Sequence, residues 1–263
     1  GGRGARGLEG GAWRVEGGAR HLALAGRRGG EVPEAFAGIS VRAVATDVSR
    51  AGDVARLIAD LDASMPPLAG VVHAAGVLDD GQIVGQTRER FERVLAPKVA
   101  GATNLEAALR GRALDFFLVY TSAGALLGSP GQSGYAAANA WLEAWAQARR
   151  AEGVPATAVA WGPWSGAGMA RDVAGRWDRQ GLEAIDPARG RLALDAVLAS
   201  RAARVVAAPI RWSKLAGEID SSALLTGFRA AVPVPAASAE FRGRLEAAPE
   251  SERPALLAAH VRA

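Results

Sequence analysis

"LDFFLVYTSAGALLGSPGQSGYAAANAWLEAWA", Leu114 to Ala146, joins two kinds of periodicity. Its first nine residues are almost continuously apolar, the pattern of a strand buried on both faces. A loop rich in glycine, serine and proline follows, and from Gly134 an alanine-rich amphipathic segment reads as a helix. The same alternation extends outward in both directions. Strands are predicted at "RHLALAG" (20–26), "ISVRAVATD" (39–47), "LAGVVHAAG" (68–76), "ATAVAWGPW" (156–164) and "RVVAAPI" (204–210). Helices are predicted over 53–65, 88–110, 134–153 and 187–201. Apolar strands joined by helical crossovers form a parallel sheet covered on both faces. The fold class is therefore α/β, a doubly wound parallel sheet, in which ligands bind at the carboxyl ends of the strands.

Composition narrows the chemistry. The 263 residues suffice for one large domain, or one domain and a fragment. The sequence has no cysteine, which excludes a disulfide scaffold, a thiolate metal site and a cysteine nucleophile, and fits a reducing cytoplasm. His21, His73 and His260 are widely separated, so no metal site is expected. No run approaches the roughly 20 apolar residues of a membrane span, and no leader is evident, so no membrane partner is expected. The net charge of +4 comes from arginines interspersed with acids, as in "TRERFERVLAPK" (87–98). Such helix faces are solvated and differ from the clustered basic face of a nucleic-acid binder.

Beyond Lys214 the pattern changes. "AGEIDSSALLTGFRAAVPVPAASAE" (216–240) is rich in Ala, Pro and Ser and reads as a linker. "FRGRLEAAPESERPALLAAHVRA" (241–263) begins an amphipathic helix, with Glu250 or Ser251 able to cap it and Leu256, Leu257 and Val261 on one side. Boundaries fall at 1–215, 216–238 and 239–263.

At the other end, "GGRGARG" contains G-x-G-x-x-G as Gly2, Gly4 and Gly7. Such glycines permit close backbone approach to a pyrophosphate; a flexible glycine-rich leader is the alternative. "LEGGAWRVEGGA" (8–19) is expected to be a poor helix, because each interior glycine costs about 1 kcal/mol against alanine. Arg27 and Arg28 follow the strand at 20–26, where arginine suits the extra phosphate of NADP. Asp47 and Val48 end the next strand, and Ala74, Ala75 and Gly76 the one after. Their order at successive strand ends describes one crevice.

These residues carry a resemblance. With "GVVHAAGVLDDG" (70–81), "APKVAGATNL" (96–105), "GSPGQSGYAAANAWLEAWA" (128–146) and "VAWGPWSGAGMA" (159–170), the chain resembles the ketoreductase domain of a modular type I polyketide synthase. That family lies within the short-chain dehydrogenase/reductase superfamily and has a Rossmann-like fold. Against its pattern, the sequence is expected to lack the first strand and the structural subdomain upstream of it. Arg6 stands where the family usually has an aliphatic residue. The tail resembles a linker and the first helix of an acyl carrier protein.

The resemblance implies roles. Tyr135, thirteen residues after Ser122, would protonate a carbonyl oxygen while NADPH reduces the carbon. A nearby cation favours the phenolate of a tyrosine, and Lys98 would supply it while holding the cofactor ribose. Ser122 would hydrogen-bond the substrate oxygen and Asn139 would complete the set. "YAAAN" in place of "YxxxK" is the family's exchange of lysine and asparagine. Gly2, Gly4, Gly7, Arg27, Arg28, Asp47, Val48, Ala74, Ala75, Gly76, Lys98 and Pro163 would line the NADPH site. Leu78, Asp79 and Asp80 match the B-type signature, with Leu127 where A-type enzymes carry tryptophan and Ala137 in place of a subclass-marking proline. A D-configured hydroxyl is implied. Trp164 would line the substrate channel, with 165–183 as a lid hinged at Gly166 and Gly168. Trp161, Trp141 and Trp145 read as packing. The implied partners are a β-ketoacyl chain on a phosphopantetheinylated acyl carrier protein and the other synthase domains. A reductase-like domain with impaired catalysis and a stand-alone reductase are the alternatives.

Overall fold

The computed structural model describes residues 5–165, 177, 181–212, 214–215, 236–254 and 256. Gly2, Gly4, most of the predicted lid and most of the predicted linker therefore lie outside the described residues, as do Leu257 and Val261. Residues 1–210 and 211–263 form two compact units.

In the first unit, β1 (His21–Gly26), β2 (Ser40–Ala45), β3 (Gly70–His73), β4 (Phe116–Ser122), β5 (Ala156–Trp161) and β6 (Arg204–Ala207) are all parallel to their partners. They alternate with α1 (Ala5–Glu16), α2 (Ala51–Ser64), α3 (Arg88–Leu109), α4 (Gly124–Leu127), α5 (Ser133–Ala151) and α6 (Pro187–Ser200). The doubly wound α/β architecture is as expected. Strand β4 shows why its sequence is apolar throughout. Phe117 and Val119 pack with Leu105 of α3 and with Leu142 and Trp145 of α5. The alternate residues Phe116, Leu118 and Tyr120 pack with Trp13 of α1 and with Leu194 and Val197 of α6. Both faces are core, so period-two polarity has no place there.

The strands fall into two sheets, β1-β2 and β3-β4-β5-β6. Between β1 and β3 lies a largely apolar cavity of about 180 Å³, lined by Gly11, Leu22, Leu24, Val71, Val72 and Phe116 among others. A second cavity of about 270 Å³ shares Leu22, Gly70 and Phe116 with it.

Helix α1 corrects an expectation: the glycine-rich stretch 8–19 is helical as far as Glu16. Two of its glycines end the helix rather than weaken it. Gly18 adopts φ +96°, its N–H donates to Val15 O at 3.0 Å, and Ala19 N–H donates to Arg14 O at 2.9 Å. This is a Schellman stop, which favours glycine. Gly10 and Gly11 lie against the strands: a Cβ on Gly10 would sit 3.1 Å from Tyr120 Oη, and one on Gly11 3.2 Å from Leu22. Trp13 is buried, and its Nε1 donates to Asp195 of α6 at 2.6 Å. Removing roughly 200 Å² of indole from water is worth about 5 kcal/mol, more than the roughly 2 kcal/mol that the two interior glycines, Gly10 and Gly11, cost. Propensity loses to packing.

In the second unit, α7 (Ala236–Ala247) starts inside the segment read as linker, where alanine favours the helix. It stops before Pro249, and a turn closed by Glu252 N–H to Pro249 O separates it from helical backbone at Arg253 and Pro254. The residue before a proline is disfavoured in the helical region, which accounts for the stop. The break between the two helical stretches falls at Glu250 and Ser251, the residues expected to cap a helix.

Candidate active site

The parallel strands direct their carboxyl ends to one side; of the predicted catalytic residues, Ser122 is on such an end and the others are on helices α3 and α5. Ser122 is the last residue of β4, and its Oγ accepts from Gly124 N–H at 3.3 Å. Helix α5 starts after Gly128 and Gly131, whose φ angles of +86° and +80° turn the chain back. Tyr135 lies in its first turn and is almost wholly buried, packed with Val94, Ala138, Val77 and Leu78. Asn139 follows one turn on and is fully buried. Its Nδ2 donates to Tyr135 O at 2.9 Å, while Oδ1 is buried with no protein partner.

Lys98 comes from α3, one residue after Pro97. It is buried, donates from Nζ to Tyr120 O at 2.9 Å, and lies 5.6 Å from the centroid of the Tyr135 ring. A buried ammonium facing a phenol ring stabilises negative charge developing on that phenol. Gly76 borders the same lysine: a Cβ there would stand 3.2 Å from Lys98 Cε. Lys98 thus lies between the Tyr135 ring and Tyr120 O, two residues before Ser122 on β4, and Asn139 is bonded to the backbone of Tyr135. Together they can orient a carbonyl and hand it a proton.

Around this centre the loops are stitched together. Asp79 binds Arg90 through Nε and Nη2 at 2.8 and 2.6 Å, and Arg93 at 2.7 Å. The Arg90 hydrogen bond, foremost, holds the Asp79 carboxyl below its ordinary range. Asp80 accepts from Gln132 Nε2 at 2.8 Å, and Gly81 N–H donates to Gly131 O at 2.8 Å. Gln132 was not singled out from sequence, although its place three residues before Tyr135 was a cue. Leu127 ends α4 beside this loop. Trp177, from the segment expected to form a lid, stands close to Gly124: a Cβ on that glycine would lie 3.0 Å from its ring.

Trp164 has a packing role in these contacts. Its ring is edge-on to Trp161 at 4.9 Å and so close to Gly190 of α6 that any Cβ there would overlap it. Trp161 and Trp145 are buried, whereas Trp141 is partly exposed.

The remaining expected cofactor residues follow the strand ends. Gly7 is buried within the first turn of α1, and Arg27 and Arg28 are exposed just past β1. Asp47 follows β2; its Oδ1 accepts from Ser49 N–H and Oγ at 3.0 and 2.7 Å. The Ser49 hydroxyl, and more weakly Arg27, hold its carboxyl below the usual range. Ala74, Ala75 and Gly76 follow β3, and Pro163 is buried after β5. Small residues beside β3, an orphaned Asn139 oxygen and exposed arginines past β1 fit a dinucleotide lying across the strand ends. Among the described residues, no helix is long and apolar enough to cross a membrane. No group of three or more potential metal ligands occurs among them either.

The doubly wound parallel architecture, shared with solved ketoreductases, is that of the short-chain dehydrogenase/reductase fold. More closely, the chain belongs to the KR domain family, whose model matches residues 1–166. It is 42% identical over 281 residues to the spectinabilin polyketide synthase system protein NorB of Streptomyces orinoci, covering 97% of this chain and 13% of that protein. It is 41% identical over 258 residues to polyketide synthase GfsA of Streptomyces halstedii, covering 94% and 3%. Among solved structures it resembles an A-type ketoreductase from a modular polyketide synthase, with TM-score 0.78, 35% identity, and coverage of 86% of this chain and 50% of that one. It also resembles the first ketoreductase of the tylosin synthase, with TM-score 0.73, 38% identity, and coverage of 83% and 49%. The chain thus spans a small part of its curated relatives and about half of these solved chains.

Proposed function

We propose that this chain reduces a β-ketoacyl thioester, carried on a phosphopantetheinylated acyl carrier protein, to a β-hydroxyacyl thioester with NADPH in the cytoplasm. The observation that supports the reading is buried Lys98, 5.6 Å from the Tyr135 ring and bonded at 2.9 Å to Tyr120 O, two residues before Ser122, with buried Asn139 bonded to Tyr135 O. Arg27 and Arg28 are the candidates for the 2′-phosphate that separates NADPH from NADH. Bound NADPH would supply hydride to the ketone carbon. The Ser122 hydroxyl donates a hydrogen bond to the ketone oxygen, and the Tyr135 hydroxyl gives it a proton as it gains negative charge. Lys98 stabilises the phenolate left behind, and Asn139 Oδ1 accepts a bond from water or cofactor while the phenol is reprotonated.

The Leu78–Asp80 signature supports a D-configured product, and the remaining synthase domains are the expected partners. The deciding experiment follows NADPH oxidation with acetoacetyl-N-acetylcysteamine and resolves the product enantiomers. Wild type is expected to turn over, and Tyr135→Phe to lose about 10²- to 10⁴-fold, the usual worth of a general acid. A wild type that reduces no thioester, or a fully active Tyr135→Phe, defeats the reading.

The cavity between β1 and β3 favours a second reading, in which cofactor affinity is impaired although the catalytic residues are assembled. A fluorescence titration giving micromolar NADPH affinity would dispose of it.

A further inference from the structure

We propose that Glu143 is a positioning residue, a carboxylate that sets helix α5 against the end of β4 so that Tyr135 and Ser122 address one carbonyl. Glu143 lies one turn beyond Asn139 and two beyond Tyr135 on α5. It is buried, and both carboxylate oxygens are engaged. Oε1 accepts from Thr121 Oγ1 at 3.1 Å, and Oε2 is ion-paired with Arg204 Nε at 2.8 Å. Thr121 is the residue before Ser122, so this bond grips the strand one residue from the serine that faces substrate. Arg204 opens β6, and β5 runs between β4 and β6. One side chain therefore ties the helix bearing the proton donor to two strands of the sheet.

Stability alone is a poor reason for this arrangement. Burial pushes the Glu143 carboxyl above its ordinary range, and Arg204 and Thr121 only pull it back. Well-packed apolar residues in place of a buried ion pair are often neutral or stabilising. A directional carboxylate adds orientation: it fixes both the turn and the height of α5 over β4. Helix and strand otherwise meet through apolar side chains such as Leu142 and Val119, which tolerate sliding.

The inference rests on the reductase reading, and the experiment separates the two. The full chain, Thr121→Val, Glu143→Gln and the double variant Glu143→Leu/Arg204→Met are compared for kcat, KM, melting temperature and the isotope effect of 4-deuterated NADPH. Acetoacetyl-N-acetylcysteamine is the thioester. The amide of Glu143→Gln still accepts from Thr121, and kcat should stay within about threefold. The double variant should melt no lower than wild type yet lose about tenfold or more in kcat, because sub-ångström misplacement of reacting groups is costly. Its KM should hold and its isotope effect rise. Thr121→Val, nearly isosteric, should show the same direction more weakly.

A wild type without activity brings down the reductase reading and this inference together. An active wild type with Thr121→Val and the double variant both within twofold in kcat overturns the inference alone. So does a loss that tracks melting temperature and leaves the isotope effect unmoved.

Discussion

His73 sits at the end of β3, buried and close to the Lys98 ammonium. Burial first, and the Lys98 charge second, lower its pKa from 6.5 to about 3. The imidazole is therefore neutral in the folded protein at neutral pH. Because the unfolded chain binds the proton more readily, stability is complete above about pH 6.5 and falls as pH drops toward 3. Urea denaturation of His73→Asn between pH 7 and 4 should show a shallower acid loss than wild type; identical slopes would mean that His73 is not the group responsible. The family resemblance, carried by the spacing from Ser122 to Tyr135 and Asn139, is what makes these three candidate residues legible in the sequence. What spacing did not disclose is that Lys98 is buried beside His73. That depends on a helix and a strand whose contacts arise only on folding.

At the scale of the element, glycine has opposite meanings in different places. In β3, Gly70 is paired with Phe116, and any Cβ there would overlap the phenylalanine ring. In α6, Gly190 makes room for Trp164. Gly70→Ala and Gly190→Ala are each expected to destabilise by about 1–3 kcal/mol through overpacking, measured by chemical denaturation. Gly10→Ala and Gly11→Ala in α1 should fail to deliver the roughly 1 kcal/mol gain that helix propensity promises, because each new methyl meets the sheet side. A full gain at either would show that α1 stands farther from the strands. These sites explain why α1 was the element least legible in sequence. Local propensity counts every glycine as a cost, whereas the close approach that glycine permits, and the burial of Trp13, belong to tertiary structure. Strands β4 and β5 were legible because burial along their whole length leaves a continuous apolar run in the sequence itself. Helix α7 starts at Ala236, within the stretch read as linker to 238, because proline and serine nearby resemble a linker while the alanines at 236 and 237 suit a helix.

At the scale of the whole first unit, protection should be uneven. β4 has strand partners on both sides and core on both faces, so its amides open only with the unit as a whole. β1 has one partner, β2, and β3 one, β4; their other edges border the apolar cavity. A two-stranded sheet has little stability of its own. The β1-β2 pair depends on packing instead, through Gly11 against Leu22 and through α2, whose Val54 and Ile58 join the main core. On the proposed reading a cofactor would span both sheets, with Arg27 and Asp47 past the ends of β1 and β2, Ala74 to Gly76 past the end of β3, and Lys98 on the adjoining α3. Hydrogen exchange followed by mass spectrometry should find peptides of β1 and β2 exchanging well before those of β4 and β5. NADPH should slow β1 and β2 selectively, because a ligand bridging two pieces stabilises the weaker one most. Uniform protection before NADPH, or a cofactor effect confined to β4 and β5, would show that the two sheets already behave as one and that the cavity does not govern cofactor affinity.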